Sequence, residues 1–260
     1  MSKCSMHLNF EQKHNNTEQL GEHDTMALEQ LRKTWEKSLD PLLEKYDWIS
    51  PSTITWIALP IGLLAAILSW FAPAGEEGGW WFLGSAALIG IAMIFDGLDG
   101  PIARKKGLVS RWGDYLDHTF DRVLDAVWLI GISASVYVDS LALGFASAFF
   151  TLLGSYMGTQ AQAVSGTRNY GGFSRADRTV LIILMLTIMG IVTLVDYPFN
   201  DKFMAPFDSI KMNPLSVALF VSLFGGLWTF FLRFFQAQKV IQAMDAERPL
   251  PQRNVKTEEE

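Results

Sequence analysis

Four aspartates lie in a stretch of the chain that hydropathy assigns to the membrane. They are Asp96, Asp99, Asp117 and Asp121. A carboxylate in lipid is costly, so four of them within 26 positions require a compensating charge. A divalent metal is the cation that oxygen-rich sites bind best. Metal-bound carboxylates inside a membrane indicate chemistry on a lipid that carries phosphate.

The spacing of the aspartates predicts two acidic helix faces. Asp96 and Asp99 are three residues apart and share one face of a helix. After a turn at Gly107, Asp117 and Asp121 follow at a four-residue step on the next helix. Two antiparallel helices with facing acidic stripes can hold one or two Mg²⁺ or Mn²⁺ ions.

Two neighbours of this stripe have open interpretations. Asp125 continues the stripe by one turn, and a hydrogen-bonding role behind the metal ligands is about as well supported as no role. His118 adjoins Asp117 and is interpreted as a polar residue at the start of a span.

The elements that must position these residues are six long apolar segments. They cover about residues 54–73, 80–95, 118–138, 141–164, 179–199 and 214–235. The second segment reaches spanning length only if its helix continues through the aspartates to about Arg104. None of the segments alternates as a transmembrane strand would. The fold class predicted is therefore all-α, a polytopic membrane protein with six transmembrane helices.

Charge predicts the orientation of these spans. If both termini are cytoplasmic, 18 of the 21 Lys and Arg residues lie on the inner side. This bias is strong evidence for that orientation, whereas the net charge of −6 carries little weight. No basic stripe exists apart from membrane-flanking positions, so nucleic acid is not an expected partner.

The chain divides by composition into four parts. Residues 1–25 are polar and are expected to form a disordered cytosolic tail. Residues 26–49 carry apolar residues at three- and four-residue steps, which predicts an N-terminal amphipathic helix on the inner membrane surface. The membrane domain is expected at 50–238 and a cytosolic tail at 239–260.

The aspartate stretch also resembles a known signature. Its fixed residues, in chain order, are Asp96, Asp99, Gly100, Ala103, Arg104, Gly113, Asp117 and Asp121. With eight residues between Arg104 and Gly113, this pattern is similar to that of the CDP-alcohol phosphotransferases at every fixed position. The resemblance covers the whole membrane region, because this family also has six spans and an inner-surface helix before the first.

The resemblance implies roles for the matching positions. Asp96, Asp99, Asp117 and Asp121 would hold two divalent ions, Mg²⁺ or Mn²⁺, and Asp121 would also be the catalytic base for the acceptor hydroxyl. The implied contacts to the CDP part of the donor are Gly100, Ala103, Arg104 and Gly113. The implied reaction moves a phosphatidyl or archaetidyl group from a CDP-activated lipid to an alcohol and releases CMP. A homodimer in the cell membrane, with its active site on the cytoplasmic side, is a further family expectation.

A second resemblance lies at the start of the first span. Pro51-Ser52-Thr53-Ile54-Thr55 is similar to a Pro-Asn-x-x-Thr opening of this family, with serine in place of asparagine. The alternative interpretation is a simple helix start.

Three arginines are candidates for contacting the acceptor substrate. Arg175 and Arg178 are one turn apart at the start of the fifth span, and Arg233 is near the inner end of the sixth. They would suit a phosphate on the acceptor, or each could be an ordinary membrane-flanking cation. The Arg-x-x-Arg pattern resembles the family branch that uses inositol phosphate, although Gly158 and Gln160 stand where that branch has lysine and arginine. The stretch around them is closer to archaeal members.

Several alternatives remain open at this point. Glycerol phosphate is a second phosphorylated polyol acceptor. A small amino-alcohol (serine, ethanolamine or choline type) is a third, because related choline and ethanolamine transferases carry Asp-His as at Asp117-His118. Two other classes are a cation transporter, which predicts acidic residues on both sides of the midplane, and an intramembrane prenyltransferase, which predicts two separated Asp-rich motifs.

Overall fold

The computed structural model describes residues 50–167, 171–199, 203, 207 and 209–249. In this part of the chain the regular structure is helical, and no strand is found. The six helices are α1 (Pro51–Phe71), α2 (Glu76–Lys105), α3 (Arg111–Ser133), α4 (Leu141–Ser165), α5 (Arg175–Leu194) and α6 (Pro214–Glu247). The predicted tail 1–25 and amphipathic helix 26–49 lie outside the described residues.

Five of the six helices are long and apolar enough to cross a membrane: α1, α2, α4, α5 and α6. The prediction of an all-α polytopic membrane protein is confirmed. Helix α3 corresponds to the third of the six predicted spans, but its composition is too polar for it to be counted with these five. The reason is its own ionisable side chains, which are Arg111, Asp114, Asp117, His118, Asp121, Arg122 and Asp125.

Two helix ends bear on the predicted boundaries. Helix α2 runs as one helix through both of its aspartates to Lys105, as the length of a span required. Helix α6 continues to Glu247, so residues 239–247 of the predicted tail are helical. The additional turns place polar residues past the apolar part of the helix.

The described chain falls into two compact units. In the smaller unit, residues 100–109 form the end of α2 and the turn that follows. Gly107 has a left-handed φ of 64°, Gly107 N donates to Arg104 O (3.2 Å) and Leu108 N donates to Ala103 O (2.9 Å). This hydrogen-bond pattern is a Schellman motif, which ends a helix at a glycine. The predicted turn at Gly107 is confirmed.

The larger unit contains residues 52–99 and the described residues from 110 onward. Its first three helices are joined by buried hydrogen bonds to main-chain carbonyls of α1. Trp128 Nε1 of α3 donates to Gly62 O (2.9 Å), and Ser85 Oγ of α2 donates to Ala65 O (2.8 Å). Ser85 also contacts Ser69 Oγ at 2.7 Å. Such bonds satisfy polar groups that lipid cannot solvate.

Small residues let the helices approach closely enough for these bonds. A Cβ on Gly131 of α3 would lie 2.6 Å from Ala66 O of α1. Between α4 and α6, a Cβ on Gly226 would lie 2.8 Å from the main chain of Thr151. Both distances are shorter than a real side chain tolerates, so backbone contact fixes these helices against each other.

Candidate active site

Three of the predicted metal ligands come together where α2 and α3 face each other. Asp96 on α2 and Asp117 and Asp121 on α3 each offer one carboxylate oxygen, and these oxygens lie within 4.8 Å of one another. All three residues belong to the larger unit. The helical spacing expected from the sequence therefore brings the two acidic faces together.

Asp99 lies one turn beyond Asp96 on α2 and is not part of this three-carboxylate group. Its Oδ2 accepts a hydrogen bond from Thr55 Oγ1 of α1 at 2.6 Å, and Thr55 is buried. Thr55 is the last residue of the Pro-Ser-Thr-Ile-Thr sequence that resembles the family. It therefore positions Asp99, one of the aspartates of the signature. The sequence did not predict this link, since residues 51–55 indicated only a family-like opening or a simple helix start.

Arg175 of α5 joins the two acidic helices. Its Nη1 lies 2.8 Å from Asp96 Oδ2, and its Nη2 lies 2.8 Å from Asp121 Oδ1. Its Nε lies 3.8 Å from Asp125 Oδ1. One guanidinium group of α5 therefore lies beside carboxylates of α2 and α3. Its contact with Asp96 is a hydrogen bond, and its contacts with Asp121 and Asp125 are ion pairs.

Behind this contact lies a fully buried ion pair. Arg178 Nη2 is hydrogen-bonded to Asp125 Oδ2, and the two residues are 3% and 0% exposed. Asp125 is outside the signature, so sequence reasoning left its role open. The signals that pointed to it were the continued four-residue spacing of the α3 aspartates and the three-residue spacing of the α5 arginines.

The start of α5 is fixed by its own sequence. Ser174 is the N-cap: its Oγ accepts from Asp177 N (3.2 Å), and Asp177 Oδ2 accepts from Ser174 N (3.0 Å). This capping box satisfies main-chain groups of the first turn. Asp177 is the N3 residue of this box, and the box fixes the first turn of α5, from which Arg175 and Arg178 project.

The remaining ionisable residues of α3 lie at the edge of the carboxylate cluster. His118 Nδ1 lies 3.5 Å from Asp117 Oδ2 and 4.0 Å from an oxygen of Asp114. Arg122 Nη1 lies 3.8 Å from Asp121 Oδ2. These contacts are longer than the 2.8 Å contacts of Arg175 with Asp96 and Asp121.

The cluster fits a divalent metal. Carboxylate oxygens are the ligands that Mg²⁺ and Mn²⁺ prefer, and three aspartates on two helices present them together. Asp96 and Asp121 already hold a cation between the helices, the guanidinium of Arg175. The carboxylates of α2 and α3 are therefore close enough for one cation to contact both helices.

The predicted CDP contacts are found at helix ends. Gly113 is in the first turn of α3, where its N donates to Oγ of the N-cap Ser110 at 3.0 Å. Gly100, Ala103 and Arg104 belong to the smaller unit, in the last turns of α2. Their part in binding CDP stays a prediction.

The three predicted acceptor arginines are placed differently. Arg175 and Arg178 meet at the aspartates, as described above. Arg233 Nε donates to Gly171 O and its Nη1 donates to Gly154 O, both at 2.9 Å, so it ties α6 to α4 and to the segment before α5. A role for all three in binding an acceptor phosphate stays a prediction.

Comparison with known proteins gives a consistent result. The family model described as CDP-alcohol phosphatidyltransferase matches residues 48–205. A phosphatidylinositol phosphate synthase of Cutibacterium acnes is 28% identical over 178 residues, which cover 66% of this chain and 83% of that protein. An archaetidylinositol phosphate synthase of Pyrococcus horikoshii is 33% identical over 141 residues, which cover 52% of this chain and 68% of that protein.

Solved structures share the fold. The crystal structure of Mycobacterium tuberculosis phosphatidylinositol phosphate synthase with CDP-DAG bound has a TM-score of 0.58 at 22% identity, covering 78% of this chain and 92% of that one. The same M. tuberculosis protein in complex with manganese and citrate has a TM-score of 0.56 at 21% identity, covering 79% and 88%.

The Asp125–Arg178 pair generates a stability prediction. We expect Arg178→Met to lower the free energy of unfolding by about 3–5 kcal/mol, because it leaves the buried carboxylate of Asp125 without its main partner. The double variant Asp125→Leu/Arg178→Met removes both charges and should recover most of this loss. Denaturant unfolding in detergent micelles measures the free energy of unfolding of the unsubstituted protein, the single variant and the double variant.

Lys239→Met is the matched control, because Lys239 is an exposed cation on α6 and its loss should change stability by less than about 0.5 kcal/mol. An Arg178→Met protein as stable as this control would contradict the structural role of the pair.

Proposed function

Because the chain belongs to the CDP-alcohol phosphatidyltransferase family, we propose that it transfers a lipid phosphoryl group from a CDP-activated lipid to inositol phosphate and releases CMP. The observation that carries this proposal is the group of Asp96, Asp117 and Asp121 across α2 and α3. The acceptor is supported by the relatives in Cutibacterium acnes and Pyrococcus horikoshii, which are named as synthases of phosphatidylinositol phosphate and archaetidylinositol phosphate.

In this reaction a hydroxyl oxygen of the acceptor attacks the phosphorus that carries the lipid. A new oxygen–phosphorus bond forms, and the bond from that phosphorus to the bridging oxygen of the diphosphate breaks. CMP leaves with the bridging oxygen, and the hydroxyl proton passes to a base. Asp121 is the proposed base, because a carboxylate beside an incoming hydroxyl can accept its proton.

Asp96, Asp99, Asp117 and Asp121 are the proposed ligands of two divalent ions, Mg²⁺ or Mn²⁺. Bound there, such ions would supply electrostatic stabilisation of the charge that develops on the diphosphate oxygens. Thr55 holds Asp99 by a hydrogen bond and so positions one of these carboxylates. Gly100, Ala103, Arg104 and Gly113 are the proposed contacts of the CDP group.

Selectivity for a phosphorylated polyol is proposed to come from Arg175, Arg178 and Arg233. Arginine binds phosphate through a planar fork of N–H donors. Glycerol phosphate would meet the same groups and is the alternative acceptor. The cation transporter and the prenyltransferase are set aside, because family membership assigns the chain to the CDP-alcohol phosphatidyltransferases.

The membrane arrangement completes the proposal. We place both termini and the reaction on the cytoplasmic side of the cell membrane, since the inner segments hold most of the Lys and Arg residues. We also propose a homodimer, as the family resemblance implies. The donor lipid is proposed to be phosphatidyl or archaetidyl.

Parallel incubations with different alcohols test the identity of the acceptor. Detergent-solubilised protein is mixed with CDP-lipid, Mg²⁺ and one acceptor at a time: inositol phosphate, inositol, glycerol phosphate, serine or ethanolamine. We expect CMP release and a lipid product of the mass of the inositol phosphate adduct, with little product from unphosphorylated inositol. A lipid product from glycerol phosphate alone, or from an amino-alcohol alone, would contradict the proposed acceptor.

The role of Asp121 is tested by one isosteric change. We expect Asp121→Asn to reduce CMP release by at least about 100-fold, because an amide can neither accept the hydroxyl proton nor supply an anionic ligand. Asp114→Asn is the control on the same helix, since the Asp114 side chain is 80% exposed, and it should keep near-normal activity. Full activity in a folded Asp121→Asn protein would rule out the assigned role.

A further inference from the structure

The contact that prompts a further inference is the one between Arg175 and the predicted metal ligands. Its two terminal nitrogens each lie 2.8 Å from a carboxylate oxygen, one of Asp96 and one of Asp121. Asp96 and Asp121 are also two of the three aspartates whose oxygens group closely enough to hold a metal ion. One arginine and the metal site therefore use the same two side chains.

A guanidinium group and a divalent ion compete for such oxygens. A metal ion needs several carboxylate oxygens in its own coordination shell, whereas Asp96 Oδ2 is hydrogen-bonded to Arg175 and Asp121 Oδ1 lies 2.8 Å from its Nη2. The guanidinium charge is also permanent and repels a second cation at short range. Tight metal binding and the present position of Arg175 therefore oppose each other.

We propose that Arg175 is a tethered counter-cation of the metal site: it holds Asp96 and Asp121 together and must release them before they ligate a metal ion. This inference rests on the proposed function, because it assumes a metal at these carboxylates. Arg175 then sets metal affinity through its contacts with Asp96 and Asp121, in addition to its proposed part in binding the acceptor phosphate.

Asp125 gives the released side chain a second partner. Its Oδ1 already lies 3.8 Å from Arg175 Nε, and its Oδ2 is held by Arg178. The Ser174 capping box keeps the first turn of α5 in place. A rotation of the Arg175 side chain towards Asp125 would therefore release Asp96 and Asp121 and keep Asp125 as a partner, with the first turn of α5 in place.

The loss of Arg175 has opposite consequences for metal affinity and for stability. Without its charge, the site should bind a divalent cation more tightly. Without a metal, the same site should be less stable, because the aspartates of α2 and α3 lose the cation that offsets their repulsion. A merely structural arginine would lower stability whether or not metal is bound.

The test measures Mn²⁺ binding directly rather than activity. Full-length protein in detergent is stripped with EDTA, dialysed and titrated with Mn²⁺, and free Mn²⁺ is followed by electron paramagnetic resonance. We expect Arg175→Gln to lower the Kd for Mn²⁺ by about tenfold, equivalent to about 1.4 kcal/mol. Its melting temperature should fall below that of the unsubstituted protein in EDTA, and saturating Mn²⁺ should close most of this difference.

Two further variants distinguish competition for the carboxylate oxygens from a general effect of positive charge on metal binding. Arg122→Gln removes the same charge beside Asp121, but its contact is longer, at 3.8 Å, so its Kd should change less than about threefold. Arg175→Lys keeps the charge but loses the two-carboxylate fork, and its Kd should fall between those of the unsubstituted protein and Arg175→Gln. Arg175→Lys also keeps the test available if Arg175→Gln does not fold.

The outcomes distinguish this inference from the proposed function. Unchanged or weaker Mn²⁺ binding in both Arg175 variants would overturn the inference and leave the metal site itself intact. Equal tightening in Arg122→Gln and Arg175→Gln would also overturn it, because charge alone would then explain the effect. If no protein bound Mn²⁺, the metal centre and the inference would fail together.

Discussion

The structure depends on keeping carboxylates inside helices that cross or border a membrane. Each unpaired anion there would be strongly unfavourable, and α2 and α3 bring Asp96, Asp117 and Asp121 to one place. Arginines of α5 provide the positive charge, through Arg175 on the cluster and Arg178 on the buried Asp125. The same carboxylates that need compensation are those that a divalent metal can use, so one constraint explains both the ion pairs and the proposed chemistry.

The surrounding helices maintain this arrangement through close contact. Bonds to α1 carbonyls come from Trp128 and Ser85, and Gly131 allows α3 to touch the main chain of α1. Because the apolar surfaces of these helices gain little from association in lipid, packing and buried hydrogen bonds are what hold them. A precise two-helix carboxylate site is therefore a consequence of a tightly packed support.

Much of this could be predicted from the sequence, since hydropathy and helical spacing are local properties. The path of α2 through Asp96 and Asp99 followed from the length that a span requires. The facing of α2 and α3 followed from the turn at Gly107. The pairing of residues distant in the chain could not be predicted, because spacing shows which residues share a helix face but not which face of another helix they meet. Asp125 with Arg178 is such a pair. The ionisable residues of α3 keep it out of the five helices that are apolar enough to cross a membrane.

A metal centre formed by α2 and α3 together would be visible in a crystal of the protein soaked in Mn²⁺, with data collected at the manganese absorption edge. We expect an anomalous peak enclosed by the carboxylates of Asp96, Asp117 and Asp121. A well-diffracting crystal with no peak between these two helices, or with manganese bound only elsewhere, would contradict it.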